Sequence, residues 1–273
     1  MTEFRKEQIT EHIYRIYGTG DACMYFIQGS EDALLIDTAY GLGDLKSYID
    51  GIAKTPYRVV ITHGHADHAN GIGQFSEVYM NRRDIELYYS RSDIQIRRRL
   101  LKKTIPDIDQ YPDSAFVPQF QGTFLDLEEG MRFDLGDCSA EVYAAPGHTE
   151  GMMVLLVPED RVCLFGDACG ENTFLFRPEA STVYAFRETL HKLLAMQDRY
   201  DRILRQHGSC ESPKSLVEEN LRTADLILAG KDDHIPFDYD GFHAFFAHKT
   251  DISTGKRVDG VSGNIVYSED KIR

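Results

Sequence analysis

The chain is poor in the features that define several whole classes of protein. Within its 273 residues no segment approaches the run of about twenty apolar residues needed to span a bilayer. The start, Met1-Thr2-Glu3-Phe4-Arg5-Lys6-Glu7-Gln8, has no apolar export core, so a cytoplasmic protein without a membrane association is expected. Cysteine is sparse: Cys23, Cys138, Cys163, Cys169 and Cys210 are odd in number and lack CxxC spacing. That argues against both a disulfide framework and a thiolate zinc knuckle. Positive charge is short as well, with 30 Lys and Arg against 44 Asp and Glu and a formal net charge of −14. Such a balance opposes attraction to phosphate backbones and anionic membranes, so nucleic acid is not expected as the main partner. A local exception is Arg97-Arg98-Arg99 with Lys102-Lys103, on a helix expected from about Asp93 to Lys103. The plainer reading of that patch is a solvated helical face or a contact between copies, which keeps a homo-oligomer open.

What the chain does have is histidine in a dense group. His63-Gly64-His65-Ala66-Asp67-His68 follows the apolar run Arg58-Val59-Val60-Ile61 and puts three imidazoles and a carboxylate at one strand end. Neutral imidazole suits a borderline-soft divalent metal such as zinc, and a carboxylate adds negative charge that allows a second cation nearby. Positions two apart on an extended segment point to one side, so His63 and His65 can act together before the chain turns toward Asp67 and His68. A lone histidine here would be read as solvated or as a helix cap; this density is not.

A metal site needs three or four protein ligands, so others must come from elsewhere. His148, Asp167 and His207 each follow a strand-like run, and Gly147, Gly166 and Gly208 flank them. Glycine there permits close approach and unusual turns. His12, His191, His234, His243 and His248 lack this context and read as ordinary residues, with His234 the one that could reach the site. Cys169, two residues past Asp167, is a further thiolate candidate.

In order and spacing, His63-x-His65-x-Asp67-His68, Gly147-His148-Thr149, Gly166-Asp167 and His207-Gly208 resemble the ligand set of the metallo-β-lactamase fold superfamily over roughly residues 12 to 230. The resemblance implies that His63, His65 and His148 hold one metal, that Asp67, His68 and His207 hold a second, and that Asp167 bridges them. Two zinc ions are implied, with iron or manganese as alternatives. Asp37, after Ala33-Leu34-Leu35-Ile36, is similar to the family's early strand-end aspartate, which orients a histidine ligand. Its alternative is a cap or turn aspartate for the helix beginning near Gly43.

The pattern of elements suits the four-layer αβ/βα sandwich that the resemblance implies, an α/β fold of two mixed sheets flanked by helices. Strand-like runs at His12–Tyr17, Cys23–Gln28 and Ala33–Asp37 precede a helix near Asp44–Ala53 and the motif strand. A helix near Arg83–Tyr89 leads into a proline-bearing insertion, residues 90–118, over the site mouth or at an interface. A second strand set spans Thr123 to Phe165. Helices near Val183–Met196 and Ser212–Ala229 then flank a strand at Ile203–Arg205. One domain is expected over 1–230, with 231–273 a C-terminal extension packed on it; no short-period repeat or low-complexity tract is visible.

Two metals sharing an acidified water imply a hydrolase for an ester, thioester, lactone, amide or phosphodiester, with Asp67 or Asp167 passing a proton to the leaving group. The partner is then a small molecule. Tyr40, Phe174 and Phe176 are candidate pocket walls, and Arg177 a candidate for pairing with an anionic substrate; the alternative is that the aromatics pack in the core and Arg177 pairs with an acid. Gly170 stands where some lactonases of the superfamily carry tyrosine, and the short tail is unlike the glutathione-gripping region of glyoxalase II-like thioesterases. Two other readings remain open. His63, His148 and Asp167 would suit the single iron of a persulfide-dioxygenase-like enzyme, or the centre could belong to a non-catalytic metal-binding sensor.

Overall fold

A computed structural model describes residues 4–273. Four antiparallel strands come first: β1 (Arg5–Gln8), β2 (Ile13–Tyr17), β3 (Met24–Gln28) and β4 (Ala33–Ile36). Three parallel ones, β5 (Tyr57–Val60), β6 (Glu77–Met80) and β7 (Thr123–Asp126), extend the same sheet. Parallel neighbours require crossovers. These are supplied by α1 (Leu45–Ile52), by α2 (Ala66–Ala69), and by α3 (Ile85–Arg91) with α4 (Ile94–Leu101). The Asp44 carboxylate accepts the Ser47 N–H at 3.0 Å and starts α1, so the cap is Asp44 and not Asp37.

The next seven strands are β8 (Arg132–Asp134), β9 (Ser139–Ala144), β10 (Met153–Val157), β11 (Val162–Gly166), β12 (Thr173–Leu175), β13 (Arg202–Arg205) and β14 (Glu211–Ser212). All but β12 form the second sheet, in the order β14-β13-β11-β10-β9-β8. Helix α5 (Val183–Ala195) connects the parallel pair β11 and β13, and α6 (Ser215–Leu228) packs beside it.

Alternation along the strands stacks the layers. On β10, Met153, Leu155 and Val157 face Ile27, Leu34 and Val60 of the first sheet, while Val154 and Leu156 face Phe186 and Leu190 of α5 and Leu216 of α6. On β3, Tyr25 and Ile27 point between the sheets, and Met24 and Phe26 toward Leu45 and Ile49 of α1. Each such buried side chain contributes roughly 1.5–3 kcal/mol. The result is the expected helix–sheet–sheet–helix sandwich.

The tail packs on the domain as strands, with Ala247, Ile265 and Tyr267 in the core beside α5 and α6. Strands β15 (Ile235–Tyr239), β16 (Phe242–Phe246) and β19 (Ile265–Tyr267) pair with β12 in a third sheet of order β12-β19-β16-β15, and β17 (Thr250–Asp251) with β18 (Lys256–Arg257) makes a small hairpin. The β15–β16 turn is Asp240-Gly241 with φ of 54° and 85°, the type I′ geometry that an Asp-Gly pair between aromatic runs encodes.

The basic patch of the insertion is not a solvated face. Arg97 is 1% exposed and donates to the carbonyls of Tyr40 and Val117 at 3.4 and 2.9 Å. Arg98 donates to the carbonyls of Ile108 and Tyr111 at 2.7 and 2.6 Å and pairs with Asp113. These two guanidiniums tie the insertion to itself and to the Tyr40 loop, leaving Arg99 and Lys103 outward. Arg97→Ala, which strands two carbonyls and opens a void, is expected to cost about 2–4 kcal/mol. Arg97→Met, which keeps the stem without a buried charge, should cost less. Urea unfolding of both variants checks the order.

Candidate metal centre

The notable side chains lie just past the carboxyl ends of strands, where α/β folds place ligands. Asp37 follows β4, His63 follows β5, His148 follows β9, Asp167 follows β11 and His207 follows β13. Asp37 has φ of 64°, a strained value for a non-glycine residue that turns its carboxylate inward. Gly166 has φ of 56° at a register shift of β11 against β13. That bulge re-aims Asp167, and a Cβ at Gly166 would strike the Met152 methyl.

The imidazoles meet in two groups. His65 Nδ1 lies 3.1 Å from His63 Nε2 and 2.9 Å from His148 Nε2. Beside them, His207 Nε2 lies 3.2 Å from His68 Nε2 and 3.1 Å from Asp67 Oδ2. Asp167 Oδ2 stands between the groups, 3.7 Å from His148 Nε2, 3.5 Å from His207 Nε2 and 3.7 Å from His68 Nε2. All seven expected residues are thus brought together. Donors bonded at about 2.0–2.1 Å around a tetrahedral ion stand roughly 3.3 Å apart, the spacing seen here.

The outer nitrogens decide the tautomers. His63 Nδ1 faces Thr62 Oγ1 at 3.1 Å, His65 Nε2 faces Glu179 Oε1 at 3.0 Å, and His68 Nδ1 faces Asp37 Oδ2 at 2.9 Å. His148 Nδ1 faces the Phe174 carbonyl at 3.1 Å and His207 Nδ1 the Asp21 carbonyl at 3.2 Å. Every outer nitrogen therefore meets an oxygen that accepts its proton, and the inner nitrogens of His63, His65 and His148 are left with lone pairs directed at one another. Three lone pairs converging within about 3 Å have no hydrogen-bond solution among themselves, and a cation satisfies them.

Burial, reinforced by the neighbouring imidazoles of His68 and His65, pushes His63 well below the usual histidine range; burial and His65 lower His148 to about 4. The second group behaves oppositely. Burial resists charging His68 and His207, but Asp67 and Asp167 overcome it and lift them to about 9 and about 10. Asp67 and Asp167 stay ionised: burial opposes this, and the surrounding imidazoles hold both below the ordinary carboxylate range. The centre demands compensating positive charge on its second side.

Asp37 holds the position that the resemblance implied. It is fully buried and accepts from His68 Nδ1, the Thr62 N–H at 2.8 Å and Gln206 Nε2 at 2.9 Å. Two acids were not found from the sequence. Asp84, 1% exposed, accepts from the Gly64 N–H at 2.9 Å, Thr149 Oγ1 at 2.7 Å and the Gly151 N–H at 2.8 Å, joining the two histidine loops. Glu179 accepts from His65 and, at 3.0 Å, from Arg91. Neither belongs to a motif, and Glu179 lies 114 residues from His65, so no local signal marks it.

A cavity of about 410 Å³ opens over both groups, walled by Tyr40, Phe174, Arg177 and, from the tail, Tyr239. The Tyr40 hydroxyl donates to Asp21 at 3.2 Å. Phe176 is not a wall: it is 4% exposed and packs with Phe246 and Val266. Arg177 reaches the cavity but already faces Asp240 at 3.5 Å. Cys169 is fully buried in the helix-side core, and His234 stacks on Phe245 away from the donors.

The sequence model of the metallo-beta-lactamase superfamily matches residues 18–208, a span that contains all seven donors. The chain belongs to the metallo-beta-lactamase superfamily. It is similar to the human acyl-coenzyme A thioesterase MBLAC2, 25% identical over 201 residues that cover 68% of this chain and 72% of that one. It is also similar to the probable polyketide biosynthesis zinc-dependent hydrolase PksB of Bacillus subtilis, 21% identical over 204 residues, 70% of this chain and 76% of that one. Among solved structures, the metallo-beta-lactamase from Pontibacter korlensis superposes with a TM-score of 0.59 at 17% identity, covering 82% of this chain and 99% of that one. The sec-alkylsulfatase Pisa1 from Pseudomonas sp. superposes with a TM-score of 0.63 at 17% identity, covering 82% and 42%. At that identity the superpositions speak for the fold. Residues past 208 lie outside the matched span, and Tyr239 and Asp240 among them wall the cavity. Among the described residues no helix is long and apolar enough to cross a membrane.

Proposed function

We propose that this metallo-beta-lactamase-superfamily hydrolase holds two divalent cations, zinc by the chemistry of its donors, and cleaves a thioester or related acyl ester of a small molecule. The observation that carries the proposal is the pair of convergent donor groups sharing Asp167 Oδ2. His63, His65 and His148 would hold the first ion and Asp67, His68 and His207 the second, with Asp167 serving both. When bound, such a pair supplies an acidified water and polarises the substrate carbonyl. The chain's own residues do the rest. Asp67 and Asp167, kept ionised by the imidazoles, are placed to take up a proton and return it to the leaving group. Tyr40, already bonded to Asp21, and Phe174 shape the wall against which an acyl chain lies. The thioester class is supported by the acyl-coenzyme A thioesterase relatives, the acyl reading more broadly by cavity and donors together. A mononuclear iron on His63, His148 and Asp167 would leave the complete Asp67, His68 and His207 group without a role, and a sensor has no need of either.

Elemental analysis after purification in added zinc is expected to find close to two ions per chain. Chelation should abolish hydrolysis across a panel of thioesters, esters, lactones and phosphodiesters, and zinc should restore it. One tightly held iron with oxygen uptake overturns this reading.

A further inference from the structure

The structure assigns to the cavity mouth an anion subsite, formed by Lys103, Arg99 and Arg177, that takes a phosphate-bearing arm of the substrate. This deepens the acyl-hydrolase reading and rests on it for the scissile bond alone. The insertion brings Lys103 and Arg99 to the β15–β16 turn, where Arg177 NH2 lies 3.5 Å and Arg99 NH2 3.8 Å from the same Asp240 Oδ2. Lys103 Nζ donates to the Tyr239 hydroxyl at 2.7 Å and stands 4.2 Å over its ring. Among the described residues it has no ion-pair partner. Two of the three cations thus share one carboxylate and Lys103 adds a third charge beside them, a local excess of two positive charges on a chain whose formal net charge is −14.

Of the other acids of the cavity, Glu171 faces Arg205 at 3.5 Å, and Asp21, which accepts from the neutral Tyr40 hydroxyl, lies against His207 at 4.0 Å rather than against the three cations. Lys103, Arg177 and Asp240 line the same cavity as His65, His148 and His207, so a molecule reacting at the donors reaches the rim with its distal end. An excess of two charges matches a phosphate dianion, and charge-assisted bonds to Lys and Arg are the strong ones. Buried Arg97 and Arg98 fix the insertion behind Lys103, so the cation is presented on an anchored segment.

Three acetyl thioesters separate the sources of anionic charge: that of coenzyme A carries phosphates, that of glutathione carries carboxylates, and that of N-acetylcysteamine carries no charge. With the wild type, KM should be lowest for the coenzyme A thioester, and its advantage over the neutral one should shrink as salt rises. Lys103→Ala should narrow the KM ratio between those two substrates about tenfold, and Lys103→Glu further. An unmoved ratio, or an equal preference for the glutathione thioester, overturns the proposal. Calorimetric titration of adenosine 3′,5′-diphosphate into chelator-treated protein decides the rim without any turnover. Binding that Lys103→Ala weakens about tenfold sustains the subsite, and no binding in the wild type overturns it. If no thioester is cleaved, the acyl reading fails while this titration still judges the rim.

Discussion

Asp167→Ala is expected to empty both cation positions together and to lower hydrolysis on the order of a thousandfold, since it removes the one carboxylate the two groups share. Its Oδ2 lies 3.7 Å from His148 Nε2 on one side and 3.5 Å from His207 Nε2 on the other. His207→Ala, by contrast, touches the second group and should leave near one ion per chain. Metal content after dialysis, paired with rates on the same samples, tests both variants. Two ions and full activity in Asp167→Ala would show that the carboxylate is not shared.

Asp37→Ala should give the largest loss of stability at the centre. The carboxylate is fully buried and accepts from His68, Thr62 and Gln206. Removing it leaves those donors buried and unpaired, and leaves the raised pKa of His68 without one of its supports, at a cost of about 3–5 kcal/mol. Metal affinity should fall about 10–100-fold because His68 loses its orienting partner. Asp37→Asn, which keeps an acceptor but not the charge, should fall between. Denaturant unfolding with and without zinc measures both terms; a stability unchanged in Asp37→Ala would mean that Thr62 and Gln206 find other partners.

The seven donors were legible in the sequence because each follows an apolar run and stands beside glycine or another donor, a local pattern. The layers were legible for a similar reason: alternation on β10 and helical spacing on α5 are properties of short segments. Asp84 and Glu179 were not, because each acts through partners distant in the chain. The basic run at Arg97 was misread as solvated because charge in a sequence carries no sign of burial; only packing against Tyr40 and Val117 turns a guanidinium into an internal tie.

Taken alone, the sequence pointed to the seven residues that meet at the strand ends, to the sandwich and to the hydrolytic class, since the chemistry of side chains and strand periodicity are written in residue type and near spacing. Tertiary structure alone decided what stands around that set. It threaded the tail through β12 and β19, placed Tyr239 and Asp240 opposite the insertion, paired Arg177 with Asp240 and, among the described residues, left Lys103 without a counter-charge. Those outcomes depend on which segments meet across the fold, and strand pairing between residues some ninety positions apart leaves no local signature.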